Sequence, residues 1–250
     1  AFEKFPPQGV MHYDLMLSKK ETITMQPSRG ATGDWIVRLP QPFHEFDEFI
    51  NDPNRPVPNS ATITTGMARS YLIEDQRFVW TRPDVLSYGT SVLQEDITLA
   101  GPITATLYVS TTGTDADFIV KLIDVFPNNH PNNSPRGGNI PMGGYQMLVR
   151  GEPMRAKYRH SWSHPSPLSP GRIEKVEFAL PDVCHTFKRG HKIMVQIHSS
   201  WFPLIDRNPH KFLNIFEANE EDFQKATHRV FLSHDAQSRV KVSVTRQATN

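Results

Sequence analysis

The sequence predicts an all-β fold, a jelly-roll-like β-sandwich with long loops and one short helix. Three observations carry this. Short stretches of alternating apolar and polar residues recur along the chain, the pattern of half-buried strands. Twenty-one prolines among 250 residues interrupt the chain too often for long helices. The stretches between strand candidates are mostly long, which favours a jelly roll over an up-and-down barrel.

In chain order, Tyr13, Leu15 and Leu17 alternate with polar neighbours, and Thr22-Ile23-Thr24 follows a Lys19-Lys20-Glu21 turn, so a hairpin is expected. Asp34 to Arg38 reads as a short strand. From Pro40 to Pro58, five prolines predict extended coil with at most a weak amphipathic turn over 44–50. Residues 59–74 read as a long patternless loop, the kind that carries function in compact domains. Strands follow at 78–81, 85–88, 96–99 and 103–110, with 118–126 as the central one because it is nearly all apolar. Residues 127–143 are almost entirely turn formers. The pairs 145–150 and 154–160, then 172–180, 192–199, 229–232 and 239–245, complete the set, with 161–171 as a further Pro/Ser loop. The helix is placed at 220–227, capped by Asn219. The whole chain, 1–250, reads as one domain: 1–58 as lead-in strands and extended coil, 59–250 as the main sandwich.

Composition narrows the partners. Lys and Arg number 27 against 26 Asp and Glu, and this balance argues against nucleic acid, whose binding depends on clustered positive charge. No apolar run approaches the roughly 20 residues of a membrane-spanning helix, so no membrane partner is expected. The single cysteine, Cys184, cannot form an internal disulfide and reads as a small buried side chain. Eleven histidines raise the question of a metal. His160 and His164 lie ahead of a Pro-rich loop rather than on a helix, and His185 and His191 flank a turn, so no metal and no cofactor are expected. Asp115, Asp117 and Asp124 read as structural carboxylates, bonding loop amides or Lys121.

No serine stands between glycines as Gly-x-Ser-x-Gly, the strand-to-helix turn that presents a hydrolase nucleophile. No catalytic residue is therefore assigned. The segment Ser199-Ser200-Trp201-Phe202-Pro203-Leu204-Ile205-Asp206-Arg207-Asn208-Pro209 has two readings. Trp201 and Phe202 can plug a core, or Trp201, Phe202, Asp206 and Arg207 can form a docking edge for a partner.

A set of motifs makes the chain resemble a known family. They are Asp52-Pro53-Asn54-Arg55-Pro56-Val57-Pro58, Asp75-Gln76-Arg77-Phe78, Arg82-Pro83-Asp84-Val85-Leu86, and Gly113-Thr114-Asp115-Ala116-Asp117-Phe118 with Lys121-Leu122-Ile123-Asp124-Val125. Gly143-Gly144-Tyr145, Phe187-Lys188-Arg189-Gly190-His191-Lys192-Ile193 and the 199–209 segment follow in order. Together they resemble the C-terminal domain of the X-Pro dipeptidyl-peptidase and cocaine-esterase-like serine hydrolases, with the α-amino-acid ester hydrolases and glutaryl-cephalosporin acylases as the nearest branch.

The resemblance implies a non-catalytic jelly roll packed on an α/β-hydrolase domain of the same protein, which carries the Ser-Asp-His triad. It further implies homo-oligomer contacts and an exported parent protein. The start near Phe5-Pro6-Pro7 resembles the family's junction between the two parts. By position, the 59–74 loop approaches the acyl-binding side of the catalytic pocket, which makes Thr64, Thr65, Gly66 and Met67 the candidates for substrate contact. The alternative is an independent carbohydrate- or ligand-binding sandwich. That reading needs a flat strip of exposed aromatics, and Trp35, Trp80, Trp162 and Trp201 are scattered in sequence.

Overall fold

A computed structural model of the protein describes residues 4–19, 21–28, 45–62, 69–134 and 139–245. Among these, twelve strands join in one hydrogen-bonded network: β1 Met11–Ser18, β2 Thr22–Pro27, β3 Phe46–Asn51, β4 Leu86–Gly89, β5 Ile97–Thr111, β6 Asp117–Val125, β7 Gln146–Arg155, β8 Glu174–Phe187, β9 Lys192–His198, β10 Ala226–Ser233, β11 Ala236–Gln237 and β12 Arg239–Val244. Their order is β11-β10-β5-β12-β1-β2-β4-β9-β6-β7, with β3 also paired to β10 and β8 to β5. Every pairing between these strands is antiparallel except a single parallel bridge between Thr22 and Gly89. No helix among the described residues is long and apolar enough to cross a membrane.

The network doubles back so that its two halves share one core. Leu15 and Leu17 of β1, Leu99 to Val109 of β5 and Val240 to Val244 of β12 meet Phe118, Val120 and Leu122 of β6 and Ile193, Val195 and Ile197 of β9. This makes an all-β sandwich. β6 is buried on both faces, because its odd positions Ile119 and Ile123 pack into a second cluster with Leu148, Met194 and Trp201. Its unbroken apolar run follows directly from that two-sided burial.

Several expected elements are redrawn. The 40–58 stretch was expected to be extended coil, but β3 pairs with β10 in a proline-free window between Pro42 and Pro53. The strand expected at 78–81 is one helical turn, Arg77–Trp80, which Asp75 Oδ1 starts by accepting the Arg77 amide at 3.1 Å. Conversely, the helix expected at 220–227 is a single 3₁₀ turn, Glu220–Asp222. Asp222 Oδ2 accepts the Asn219 amide at 3.0 Å, and residues from Ala226 onward are taken by β10, which pairs on both edges. The strands expected at 96–99 and 103–110 are one, because a bulge at Gly101 absorbs Pro102. The pair expected at 145–150 and 154–160 is the single strand β7 followed by a 3₁₀ turn. Cys184 is exposed rather than buried, on the outward parity of β8. The strand expected at 34–38 lies outside the described residues.

Candidate functional site

The outer face of β9, β6 and β7 carries the docking candidates together with the described limbs of the 59–74 loop. The chain leaves β9 at His198 and turns back over this face through residues 199–209. Ser199 Oγ donates to the Asp117 carbonyl at 2.6 Å, and Ser200 Oγ accepts from the Val57 amide at 2.8 Å and from Asn51 Nδ2 at 3.2 Å. Trp201 is 3% exposed and fills the second core cluster, so its ring is a plug. Phe202 turns outward at 40% exposure, Asp206 is exposed and Arg207 is half-buried. Arg207 Nη1 donates to the Pro53 carbonyl at 3.2 Å, and its guanidinium lies 4.6 Å from the Phe223 ring centre.

The 59–74 loop is built onto the same turn. The Phe202 amide donates to the Val57 carbonyl at 2.9 Å, and the Asn59 amide donates to the Phe202 carbonyl at 2.8 Å. On the returning limb, the Tyr71 ring meets Trp201 edge-on at 5.9 Å. Glu74 ties the two limbs, accepting from the Ala61 amide at 2.7 Å and from Ser70 Oγ at 2.6 Å. Thr64, Thr65, Gly66 and Met67, at the loop's middle, lie outside the described residues.

The ridge formed by residues 202–207 is flanked by three open grooves. One of about 450 Å³ runs between Phe202, Arg207, Pro53 and Phe216. One of about 580 Å³ lies between Trp201, Leu204, Tyr71 and Leu72. The third, of about 400 Å³, lies between Leu204, Asp206, Arg155 and Trp162. Large apolar side chains that line them stand exposed: Leu72 at 55%, Trp162 at 73% and Phe216 at 86%. Sequence reasoning missed Leu204, Ile205, Trp162 and Phe216. The available signal was that each is apolar within a polar or Pro-rich connection.

Beneath the ridge lies a buried polar layer. Asp117 takes a two-pronged contact from Arg155, both bonds 2.9 Å, and a third bond from Asn208 Nδ2 at 2.8 Å. Asp115 accepts the Ala116 and Lys157 amides at 2.9 and 3.1 Å; burial, with the Asp117 charge beside it, pushes its carboxyl up to about 6. Lys121 meets neither aspartate. It donates to Gln76 Oε1 at 3.0 Å and lies 4.8 Å from the Trp201 ring centre, and burial pulls its ammonium down to about 7. Asp124 does not bond Lys121 either: it accepts from His185 Nε2 at 2.9 Å and His191 Nδ1 at 2.8 Å. Among the described residues, no group of three or more His, Cys, Asp or Glu is arranged to hold a metal ion.

The family described as the X-Pro dipeptidyl-peptidase C-terminal non-catalytic domain matches residues 3–241. The chain belongs to that family. As such a domain, it is similar over 98% of its length to 38% of an aminopeptidase from a marine sediment Thaumarchaeota archaeon, at 35% identity and a TM-score of 0.83. It is also similar to an α-amino acid ester hydrolase at 37% identity and a TM-score of 0.77, covering 93% of this domain and 36% of that chain. Cocaine esterase from Rhodococcus sp. (strain MB1 Bresler) is 29% identical over 201 residues, 80% of this chain and 32% of the esterase. The chain thus spans only 32–38% of the length of each of these relatives.

Proposed function

We propose that this domain docks on an α/β-hydrolase domain of the same protein through the 202–207 ridge and uses the 59–74 loop to help shape that domain's acyl pocket. The observation that supports this best is the backbone junction of the two. Phe202 bonds both Val57 and Asn59, so the ridge and the start of the loop are tied together at the backbone. The parent protein is then a serine hydrolase acting on esters or amides, with its Ser, Asp and His in the hydrolase domain. In that role Thr64, Thr65, Gly66 and Met67 contact the acyl part of the substrate. Phe202, Asp206 and Arg207 contact the hydrolase domain, and Trp201 supports them from below. The domain's own contribution is to position the loop and exclude water from the reacting bond.

The test is association between the 250-residue chain and the hydrolase portion of its parent, produced as separate polypeptides. Co-elution is expected, with loss when Leu204 and Ile205 are both replaced by Glu. Co-elution unaffected by the two glutamates would remove the ridge from the interface. The chain alone is expected to leave a chromogenic ester uncleaved, and serine-type turnover by it would overturn the accessory role.

A further inference from the structure

The third groove has a chemistry that the ridge alone does not explain. Tyr158 and Trp162 stack at 5.8 Å with planes 26° apart. Lys157 Nζ lies 5.5 Å from the Tyr158 ring centre and donates to the Leu213 carbonyl. Trp162, backed on one face by Tyr158 and 73% exposed, still offers an aromatic face to solvent. The charged side chains lining the groove are Asp117, Arg155 and Asp206. The Arg155 guanidinium is committed to the Asp117 carboxylate through Nε and Nη2, and it reaches Asp206 only at the backbone carbonyl, at 3.2 Å. Among the described residues, the Asp206 carboxylate receives no hydrogen bond; Arg155 acts on it only through space and is shared with Asp117, so the two carboxylates and one guanidinium leave the groove one net negative charge beside an aromatic platform.

From this juxtaposition we infer that the third groove receives an arginine side chain of the docked partner, its guanidinium stacked on Trp162 and forked onto the Asp206 carboxylate. A planar guanidinium fits both features at once, because it stacks on aromatic faces and pairs with a carboxylate through two parallel hydrogen bonds. A lysine ammonium meets the charge without the plane, and a sugar meets the ring without the charge. The identity of the carrier, the hydrolase domain, rests on the docking proposal above, whereas the chemistry of the groove does not.

The experiment uses the 250-residue chain with N-acetyl-arginine amide as probe, and N-acetyl-citrulline amide and methyl glucoside as controls. The readout is the indole N–H resonance of Trp162, assigned with Trp162→Phe. The arginine probe is expected to shift that resonance saturably and to weaken as salt rises. Citrulline is expected to bind about tenfold more weakly, as is arginine to Asp206→Asn, whose exposed side chain leaves the fold intact. Equal binding of citrulline, indifference to Asp206→Asn, no shift at all, or a shift by the glucoside instead would each overturn the assignment. If Leu204→Glu with Ile205→Glu abolishes co-elution while the arginine probe fails to bind, docking stands and the arginine does not. The reverse pair of results rejects docking and keeps the groove.

Discussion

His198 and His210, at the two ends of the 199–209 turn, and His228 of β10 are each at most 2% exposed. His210 Nε2 donates to Asn51 Oδ1 at 2.9 Å, and His198 Nδ1 donates to the Ser200 carbonyl at 2.7 Å. Among the described residues the His228 side chain makes no hydrogen bond and is packed by rings, 4.9 Å from His210 and 5.4 Å from Phe49. Burial keeps all three neutral: it depresses His198 and His228 well below the usual imidazole range and pulls His210 down to about 4. Since each folded value lies below the unfolded 6.5, the unfolded chain takes up protons first as the pH falls. Stability is therefore full above about pH 6.5 and is lost progressively towards pH 4, by about 2 kcal/mol for His210 alone at pH 5. Asp115 acts in the opposite sense, because its carboxyl at about 6 lies above its unfolded value and gains a proton in the fold. The comparison that isolates His210 is thus between wild type and His210→Gln, which keeps a donor for Asn51. Urea unfolding from pH 7.5 to 5 is expected to show a shallower loss in the variant, and identical slopes would remove His210 from the acid sensitivity. None of this was legible in the sequence. A histidine's burial depends on which strands close over it, and the same holds for Asp124, whose two histidine partners lie 61 and 67 residues away.

At the scale of the element, what the sequence revealed depended on how far alternation reaches. β6 was readable as central from its apolar run, and the β1–β2 hairpin from Leu15 and Leu17, because strand parity assigns each side chain to a face. Parity fails in turns, so nothing in Trp201-Phe202 distinguishes the ring that goes in from the ring that stays out. It also fails where a neighbour supplies the pairing: β3 forms between prolines because the edge of β10 is available. The seat of Trp201 depends on one position of β7. A Cβ on Gly151 would stand 2.9 Å from Trp201 Cη2 and 3.4 Å from Lys121 Cγ, so a side chain there pushes the indole off the second core. Gly151→Ala is expected to cost about 1–3 kcal/mol by overpacking and to red-shift tryptophan emission as Trp201 gains water. An unchanged melting temperature and emission spectrum would show that the ridge does not depend on this packing.

At the scale of the whole molecule, the two-sided burial of β6 has a consequence for solution behaviour. A sandwich needs only its inner faces covered, yet here the outer face of β9-β6-β7 is also roofed, by the 59–74 limbs and the 199–209 turn. The roof exposes Leu72, Ile73 and Phe202, and Phe216 stands exposed across the first groove from Phe202. A contiguous exposed apolar surface marks an interaction site, and without its partner it finds another apolar surface. The 250-residue chain by itself is therefore expected to self-associate with rising concentration in sedimentation velocity. Leu204→Glu with Ile205→Glu should return it to monomer, since two charges in the middle of the ridge cannot be buried unpaired. Adding the hydrolase portion should have the same effect on the wild type by occupying the same face. A wild-type chain that stays monomeric at every concentration would indicate that the ridge is too small or too polar to drive association. Self-association that survives both the glutamates and the hydrolase portion would place it on another surface.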